Sequence, residues 1–499
     1  MDAGPGSTDA DREPARPSDP DQRPSDAPHD DEAATQATEA IDLTPEPGHE
    51  VAPDAVAGTE PEPKAWHRPT PGWVAPTGAA LRPVVQTLKD PMILLGLLLI
   101  FSFVVRVIWL DLPKKGTIFD EAYYVNAARV ILGYDVPEGG KYGDREKLLD
   151  PNKEHPPLGK LLIAGSMAAF GDNGIGWRIP SVMAGMVALL ALFFAIRAAG
   201  GSEWLALLAV FLASLDNLTM VHGRIGVLDM MALAPALVAS WLALRRRWLL
   251  AALFMAIALL VKLTALYAVG AILLLWLLMV APGWWKARRI NVREVVGPVV
   301  FTVVTFAVFV GGLAALDSRW SEFKNPVEHI SHMVSYGARL NQPVGTVGIC
   351  PKADSRPWQW LVNDCQIQYL RTDVSVNAGE DLVTRVARID FRGAMNELLV
   401  GALPIAMLFT GWFAWKRRDG PSLWALTWAG ANWLPYALLG VISNRIMYIY
   451  YFLPVVPAVA VAISVLLLRS KLPRFVLWGF IVLYVIGFIA YFPYRVIPD

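Results

Sequence analysis

Long apolar runs separated by short polar segments dominate the chain from residue 91 to residue 493. Runs such as 92–105, 295–315 and 475–492 approach the roughly 20 residues that a helix needs to cross a bilayer core of about 30 Å. The chain is 55% hydrophobic and only 18% charged, which is typical of neither a soluble globular domain nor a disordered one. It is therefore predicted to be an all-α polytopic membrane protein.

The first 65 residues differ from the rest of the chain. They are rich in Pro, Asp, Glu and Ala and contain no aromatic residue. Such a segment cannot bury enough apolar surface to offset its ordering entropy. Residues 1–65 are predicted to be a disordered acidic Pro-rich cytoplasmic tail, and residues 66–90 a juxtamembrane linker. The basic start and early apolar stretch of a signal peptide are missing.

Positive charges orient the membrane spans, because short cytoplasmic loops keep an excess of Lys and Arg. If the run 158–170 does not span, basic clusters such as 245–247, 286–289 and 416–418 share one side. If the run 158–170 spans, these clusters lie on the opposite side of the membrane from the basic residues that precede the first span. We therefore predict a cytoplasmic N-terminus and an interfacial helix over 158–170. Eleven spans are predicted: 91–110, 178–197, 203–216, 226–244, 248–262, 264–281, 295–315, 397–414, 422–440, 446–468 and 473–493.

This topology divides the chain into regions. Residues 91–315 are predicted to form an N-terminal catalytic membrane region with an extracytoplasmic loop at 111–177. An extracytoplasmic loop at 316–396 follows, and then a four-helix region at 397–499. The chain's two cysteines, Cys350 and Cys365, lie in the second loop. A disulfide there contributes about 3 kcal/mol; two unpaired thiols are the alternative.

Two motifs in the first loop carry chemistry. Asp120-Glu121 follows the first span, and a carboxylate fixed there can act as a general base on an alcohol; solvated surface charge is the alternative. The second motif runs from Glu154 and His155 through two prolines to Gly159-Lys160. Free N–H groups and a cation in a first helical turn suit an anion, whereas the plain alternative is a helix start. His155 with Glu154 is a possible divalent-cation site, but neither ligand count nor spacing defines one.

Further ionisable residues converge on the same predicted outer face. Charged groups at membrane depth are expensive and usually functional, although snorkelling explains any single one. As a set they indicate a site for a lipid phosphate, because cations stabilise a phosphate leaving group and a carboxylate supports glycosyl transfer. The set comprises Arg178, Asp216, Asn217, His222, Arg224, Asp229, Lys262 and Arg445.

These motifs resemble the protein O-mannosyltransferases of the GT-C class, glycosyltransferase family 39. The resemblance covers the chain from about residue 90 to its end, in the family's order. It is carried by Phe119-Asp120-Glu121, His155-Pro156-Pro157-Leu158-Gly159-Lys160, Gly176-Trp177-Arg178, Leu215-Asp216-Asn217, Arg224, Leu228-Asp229, Val261-Lys262, Ser355-Arg356-Pro357-Trp358-Gln359-Trp360 and Ser443-Asn444-Arg445.

The resemblance implies a GT-C fold of about 11 transmembrane helices, with juxtamembrane helices in the first loop. It implies mannose transfer, with inversion, from polyprenyl-phosphate mannose to Ser or Thr of secreted proteins, which are met at the Sec translocon. No nucleic acid and no certain cofactor is implied. The implied catalytic residues are Asp120 and Glu121. The implied donor-phosphate ligands are Lys262 and Arg445, and Arg178 matches an arginine that the family needs near the first loop. We assign Arg178, His155 and Lys160 to the same phosphate site, with supporting roles for Asp216, Arg224, Asp229 and Glu154.

Several alternatives stay open. The 316–396 loop is too short for the β-trefoil module of eukaryotic members, so a bacterial, actinobacterial-type enzyme of the plasma membrane is expected. Related GT-C enzymes move a lipid-linked sugar onto a lipid or a glycan; the aminoarabinose transferases among them tend to have Lys where His155 stands. A secondary transporter is the remote alternative, because no inverted repeat is visible.

Overall fold

The computed structural model describes residues 90–114, 116–341, 354–377, 383–443 and 445–495. The predicted cytoplasmic tail and nearly all of the linker lie outside these residues. In the first half of the described chain, all regular elements are helices, and irregular loops connect them. Its helices are α1 Pro91–Val107, α2 Glu121–Leu132, α3 Leu158–Phe170, α4 Gly174–Ala198, α5 Glu203–Leu215, α6 Asn217–His222, α7 Leu228–Leu244, α8 Trp248–Val261, α9 Leu266–Ala287 and α10 Val292–Trp320.

The second half adds a β-hairpin to the helices. Its elements are α11 Pro326–Arg339, α12 Pro357–Trp360, β1 Ile367–Asn377, β2 Val383–Gly393, α13 Glu397–Arg417, α14 Gly420–Ile442, α15 Val456–Arg469 and α16 Arg474–Tyr491. Short 3₁₀ helices at Leu263–Ala265 and Ile449–Val455 precede α9 and α15. The mostly helical architecture confirms the predicted all-α membrane class, and the hairpin is an addition to it.

Six helical segments among the described residues are long and apolar enough to cross a membrane. They are Gly174–Ala198, Leu263–Ala287, Val292–Trp320, Glu397–Arg417, Ile449–Arg469 and Arg474–Tyr491. Other apolar helices, α1, α5, α7 and α8 among them, are shorter than the usual span. The structure therefore confirms a multi-pass membrane protein, while the count of eleven spans stays a prediction. The predicted helix 158–170 is present as α3.

Several helix starts in the first half of the chain are set by side-chain caps. Asn173 accepts hydrogen bonds from two main-chain N–H groups at the start of α4, and Ser202 caps α5 in the same way. Asp216 ends α5 and caps α6 through the N–H of Thr219. Such caps satisfy donors that have no partner inside the helix. They fix where each of these helices begins.

The hairpin joins the second predicted loop to the helices. Its strands pair antiparallel, from Ile367 opposite Gly393 to Val374 opposite Val386 and beyond. Asn217, at the start of α6, donates hydrogen bonds to the carbonyls of Arg392 (2.9 Å) and Ala394 (2.8 Å). Strand β2 is thereby held beside α6, and β1, which pairs with β2, can present a side chain to the site.

Candidate active site

Asp120 lies immediately before α2 and does not cap it. Phe119 has a left-handed backbone with φ +55°, and the Asp120 carboxylate makes no capping hydrogen bond with the helix that it precedes. Burial raises the pKa of Asp120 to about 7; Lys262 nearby lowers it and Asp229 raises it. A carboxylate that titrates near neutral pH and is not consumed by structure suits a general base.

Glu121, the next residue, has a different environment. Its side chain is fully buried and pairs with Arg178 through two contacts, Nε–Oε1 at 2.8 Å and Nη2–Oε2 at 2.9 Å. The same carboxylate accepts hydrogen bonds from the N–H groups of Ile118 and Gly226, both at 2.7 Å. With its lone pairs engaged by protein groups, Glu121 positions the loop, and a direct catalytic role does not fit this geometry.

Arg178 is equally committed. Besides its contacts with Glu121, it donates to the carbonyl oxygens of Leu110 (2.7 Å), Leu112 (2.9 Å) and Gly116 (3.2 Å). These bonds use all five N–H donors of the guanidinium, and the side chain is 1% exposed. The predicted contact between Arg178 and a donor phosphate is therefore not available in this structure. Arg178 instead fixes the chain between α1 and α2.

Lys262 occupies a break between helices. It ends α8 with an extended backbone, φ −154° and ψ 126°, before the short 3₁₀ helix begins. Its Nζ lies 2.7 Å from Asp229 Oδ1 and 5.6 Å from the ring centre of Tyr450. The side chain is nearly buried, and the first turn of α7 supplies its carboxylate partner. The predicted cation Lys262 and the predicted supporting residue Asp229 thus meet as one pair.

An aromatic wall lines this pair. Tyr369 of β1 stacks on Phe119 with ring centres 4.0 Å apart, and its hydroxyl lies 2.9 Å from His222 Nε2. Tyr450 contacts Phe119 edge-on at 5.4 Å and stacks on His222 at 5.7 Å. The sequence analysis did not single out Tyr369, because nothing in its spacing links it to α6.

Lys160 holds the first loop together. Its ammonium lies 2.6 Å from Asp150 Oδ2 and donates to the carbonyls of Asn152 and His155, and to Asn152 Oδ1 at 3.2 Å. Both Lys160 and Asp150 are buried. Because these acceptors occupy the ammonium, the predicted phosphate contact of Lys160 does not fit the structure. Its role is to fold residues 150–155 against α3.

His155 keeps a side chain that is not committed elsewhere. Its ring lies 5.9 Å from the ring of Tyr124, and it makes no side-chain hydrogen bond with any residue that the structure describes. Burial, with the positive charges of Lys262 and Lys160, lowers the pKa of His155 well below its ordinary value. The ring is therefore neutral at physiological pH. It can donate one hydrogen bond to an oxygen near Lys262.

Glu154 accepts a hydrogen bond from Asn152 Nδ2 at 2.6 Å. Among the described parts of the chain, no group of three or more His, Cys, Asp or Glu side chains is arranged to hold a metal ion. His155 and Glu154 are therefore not joined by a third such ligand within those residues.

Arg445 approaches from the second half of the chain. Its Nε donates to the carbonyl of Gly337 at 2.8 Å, and its backbone forms an isolated β-bridge with Asn341. The other guanidinium N–H groups have no acceptor among the residues that are described. Arg445 thus stands at the end of α11 with donors available, whereas its predicted neighbour Asn444 lies outside the described residues.

Asp216 and Arg224 belong to the supporting frame. Asp216 is buried and accepts hydrogen bonds from the N–H groups of Thr219 (3.0 Å) and Asn396 (2.9 Å). Arg224 donates to the carbonyls of Val105 (3.1 Å) and Ile108 (2.7 Å), where α1 ends. Both therefore connect helix ends and do not face a ligand.

The predicted disulfide falls partly outside the described chain. Cys365 is disulfide-bonded and nearly buried at 6% exposure, so it is not the unpaired thiol of the alternative interpretation. Cys350 lies outside the described residues, and the pairing with it stays a prediction.

Comparison with known proteins supports the motif resemblance. Residues 154–310 match the family model described as dolichyl-phosphate-mannose-protein mannosyltransferase. A Mycobacterium tuberculosis polyprenol-phosphate-mannose–protein mannosyltransferase is 33% identical over 140 residues, which are 28% of this chain and 25% of that protein. The match thus spans a quarter of the length of that relative. The Corynebacterium glutamicum protein of the same name is 24% identical and matches over 72% of this chain and 79% of its own length.

A solved structure shares the fold. The S. cerevisiae protein O-mannosyltransferase Pmt1–Pmt2 complex bound to the sugar donor superposes with a TM-score of 0.57 at 12% identity. The superposition covers 81% of this chain and 89% of that chain. At such low identity the likeness concerns the fold alone, and it confirms the predicted GT-C class.

Proposed function

We propose that this chain, which matches the dolichyl-phosphate-mannose-protein mannosyltransferase family model over residues 154–310, transfers mannose from polyprenyl-phosphate mannose to Ser and Thr hydroxyls of secreted proteins. The observation that carries the proposal is the Asp120 carboxylate, which does not cap the helix that follows it and has a pKa of about 7. It acts in the electrostatic field of the Lys262–Asp229 pair. The names of the relatives supply the donor and acceptor classes.

The donor phosphate binds at Lys262, His155 and Arg445. The charge of Lys262 acts on the His155 imidazole, and in this proposal one phosphate accepts from both side chains. Arg445 brings further N–H donors from the other half of the chain. Cations at a developing phosphate charge stabilise the leaving group in the transition state. Glu121, Arg178 and Lys160 position this set and make no contact with the donor.

The reaction is a single displacement. Asp120 removes the proton of the acceptor hydroxyl while its oxygen attacks the anomeric carbon of mannose. The bond between that carbon and the phosphate oxygen breaks, and its electron pair leaves with polyprenyl phosphate. Attack opposite the leaving group inverts the anomeric carbon, in keeping with a carboxylate acting as base at a sugar centre.

A ring of tyrosines forms the acceptor entrance. Tyr123 of α2 is 40% exposed; Tyr142 lies 6.4 Å from it, and Lys141 lies over its ring at 5.5 Å. Burial raises the pKa of Tyr336 of α11, and Glu154, Tyr123 and Asp120 raise it further, which supports assigning Tyr336 to the same entrance. Amphipathic rings with one polar end suit an extended peptide. This group of tyrosines favours a polypeptide acceptor over a lipid.

The orientation completes the proposal. Asp120 faces the extracytoplasmic side of the plasma membrane and the N-terminus lies in the cytoplasm, as the positive charges predict. Acceptors reach Asp120 unfolded, as they emerge from the Sec translocon. The proposed regions are the tail 1–65, the linker 66–90, the catalytic region 91–315, the outer loop 316–396 and the C-terminal helices 397–499.

The proposal is tested by mannose transfer in membranes that carry the full-length chain. Radiolabelled polyprenyl-phosphate mannose and a Thr-rich secreted peptide are supplied to wild type, Asp120→Asn and the control Asp135→Asn, which alters an exposed carboxylate of the same loop. Labelled peptide is expected in wild type and control, with a loss of about 10²–10⁴-fold in Asp120→Asn. Label in a lipid or glycan fraction, with the peptide unlabelled, would show that the acceptor is a lipid or a glycan and not a protein. No transfer from any lipid-phosphate sugar would refute the enzyme.

A further inference from the structure

His222 stands at the centre of the site, although the mechanism above gives it no task. Its Nε2 lies 2.9 Å from the hydroxyl of Tyr369. Its Nδ1 is buried and has no hydrogen-bond partner in the described chain. Asp229 Oδ2 is 3.8 Å from that nitrogen, slightly beyond hydrogen-bond range. A buried ring nitrogen without a partner destabilises the folded protein, so this arrangement requires a functional explanation.

The surroundings determine which nitrogen carries the proton. Burial lowers the pKa of His222 to about 4, with Asp229 opposing and Lys262 adding to the shift. The ring is therefore neutral and carries one N–H. A proton on Nδ1 faces the Asp229 carboxylate, whereas a lone pair there would be repelled by it. The hydroxyl of Tyr369 then donates to Nε2 and holds this tautomer.

Asp229 shares its two oxygens between two partners. Oδ1 contacts Lys262 at 2.7 Å, and Oδ2 faces His222. When Lys262 turns toward a phosphate, Asp229 loses the charge that compensates it. A nearly buried carboxylate without a partner is strongly unfavourable. A shift of about 1 Å would bring the His222 Nδ1–H into hydrogen-bond range of Oδ2.

We propose that His222 is a positioning residue: when Lys262 binds the donor phosphate, His222 donates a hydrogen bond to Asp229 in place of Lys262. The inference rests on the proposed function in assigning the phosphate to Lys262. His222 thereby stabilises the donor-bound state without touching the donor. Tyr369 contributes from β1 by fixing the tautomer, and its stacking on Phe119 places this contact beside Asp120.

Two substitutions separate the two nitrogens. In His222→Asn the amide replaces Nδ1 and can still donate to Asp229. In His222→Gln the amide reaches the Nε2 position, keeps Tyr369 and loses the donor to Asp229. Loss of a hydrogen bond to a charged group corresponds to about 10- to 100-fold in affinity. The KM for polyprenyl-phosphate mannose is therefore expected to rise by that factor in His222→Gln, while His222→Asn recovers most of it.

The experiment uses the full chain in nanodiscs and measures mannose transfer together with binding of polyprenyl phosphate. Equal effects of the Asn and Gln variants would overturn the inference, and so would a Gln variant with wild-type KM and affinity. In an Asp229→Asn background His222→Gln should add nothing. If His222→Gln does not fold, Tyr369→Phe replaces it: it should weaken donor binding in the same direction, and unchanged binding refutes the inference. Wild type that binds polyprenyl phosphate but transfers no mannose contradicts the proposed function alone.

Discussion

Glu121 and Arg178, 57 residues apart, form a buried carboxylate–guanidinium pair that ties the start of α2 to α4. Gly226, which precedes α7, donates its N–H to the same carboxylate. Arg178 extends the network to three main-chain carbonyls after α1. One ion pair therefore sets the position of three helices around the loop that carries Asp120.

Arg178→Lys is expected to unfold this corner of the molecule. A lysine cannot reproduce the forked contact or reach all three carbonyls, and breaking a buried pair costs about 3–5 kcal/mol. Thermal unfolding in detergent should show the loss, with transfer reduced in parallel. Arg145→Lys, an exposed change in the same loop, should leave both readouts unchanged. A stable Arg178→Lys protein with only a raised donor KM would instead place Arg178 on the phosphate.

The rate of transfer should depend on the ionisation of Asp120. Its pKa of about 7 means that below pH 7 the carboxyl is protonated and cannot act as a base. The kcat/KM for the acceptor should fall about tenfold for each pH unit below 7 and level off above it. Since this folded-state pKa lies above the ordinary value, protonation also favours folding, and that contribution is lost as the pH rises through 7. A pH profile with its acid limb near 4 would contradict this assignment.

The sequence predicted the helices and the grouping of ionisable residues at the site better than the role of each positively charged side chain. The order of polar residues at the ends of apolar runs placed Lys262, Asp229 and Asp120 on one outer face, and the structure shows that Lys262 and Asp229 pair. Arg178 and Lys160 were assigned to the phosphate because a charge at a helix end suits an anion. Their partners are carbonyls of irregular loops, such as those of Leu112 and Asn152, which no periodicity reveals.

The β-hairpin had a signal that went unused. Its strands, at 367–377 and 383–393, are rich in β-branched and aromatic residues, with apolar positions recurring in alternation. That pattern is typical of strands. Because long apolar helices dominate the chain, the segment was taken as a loop. Tyr369, the hairpin's contribution to the site, was missed with it.

The Lys160–Asp150 pair should matter for folding more than for donor binding. Lys160→Met leaves a buried carboxylate and two carbonyls without their donor, at a cost of about 3–5 kcal/mol. Adding Asp150→Asn should recover part of the loss, because the stranded charge disappears. Thermal unfolding of the single and double variants measures this. Lys147→Met, which breaks an exposed pair with Asp135, should be silent. A raised donor KM at unchanged stability in Lys160→Met would restore the phosphate role.

The tyrosine entrance predicts a separation of acceptor from donor effects. Tyr142, whose ring lies 6.4 Å from that of Tyr123, and Tyr336 of α11 come from different segments and belong to the proposed entrance. Removing either ring should raise the acceptor-peptide KM by about 5- to 30-fold, the equivalent of about 1–2 kcal/mol for a lost aromatic contact. The donor KM and the pH profile should not change, because Lys262 keeps its contact with Asp229 and Asp120 itself is unaltered.

The matched control is Tyr134→Ala, which removes a ring of the predicted first loop that is 40% exposed, as Tyr123 is. Steady-state kinetics with donor and peptide varied in turn distinguish the two substrates. If Tyr142→Ala and Tyr336→Ala left the peptide KM at the wild-type value, the acceptor would have to approach Asp120 along another path. If they raised the donor KM instead, the ring would belong to the sugar and not to the polypeptide. A peptide-specific effect shared by both variants and absent from the control would identify these tyrosines as the acceptor site.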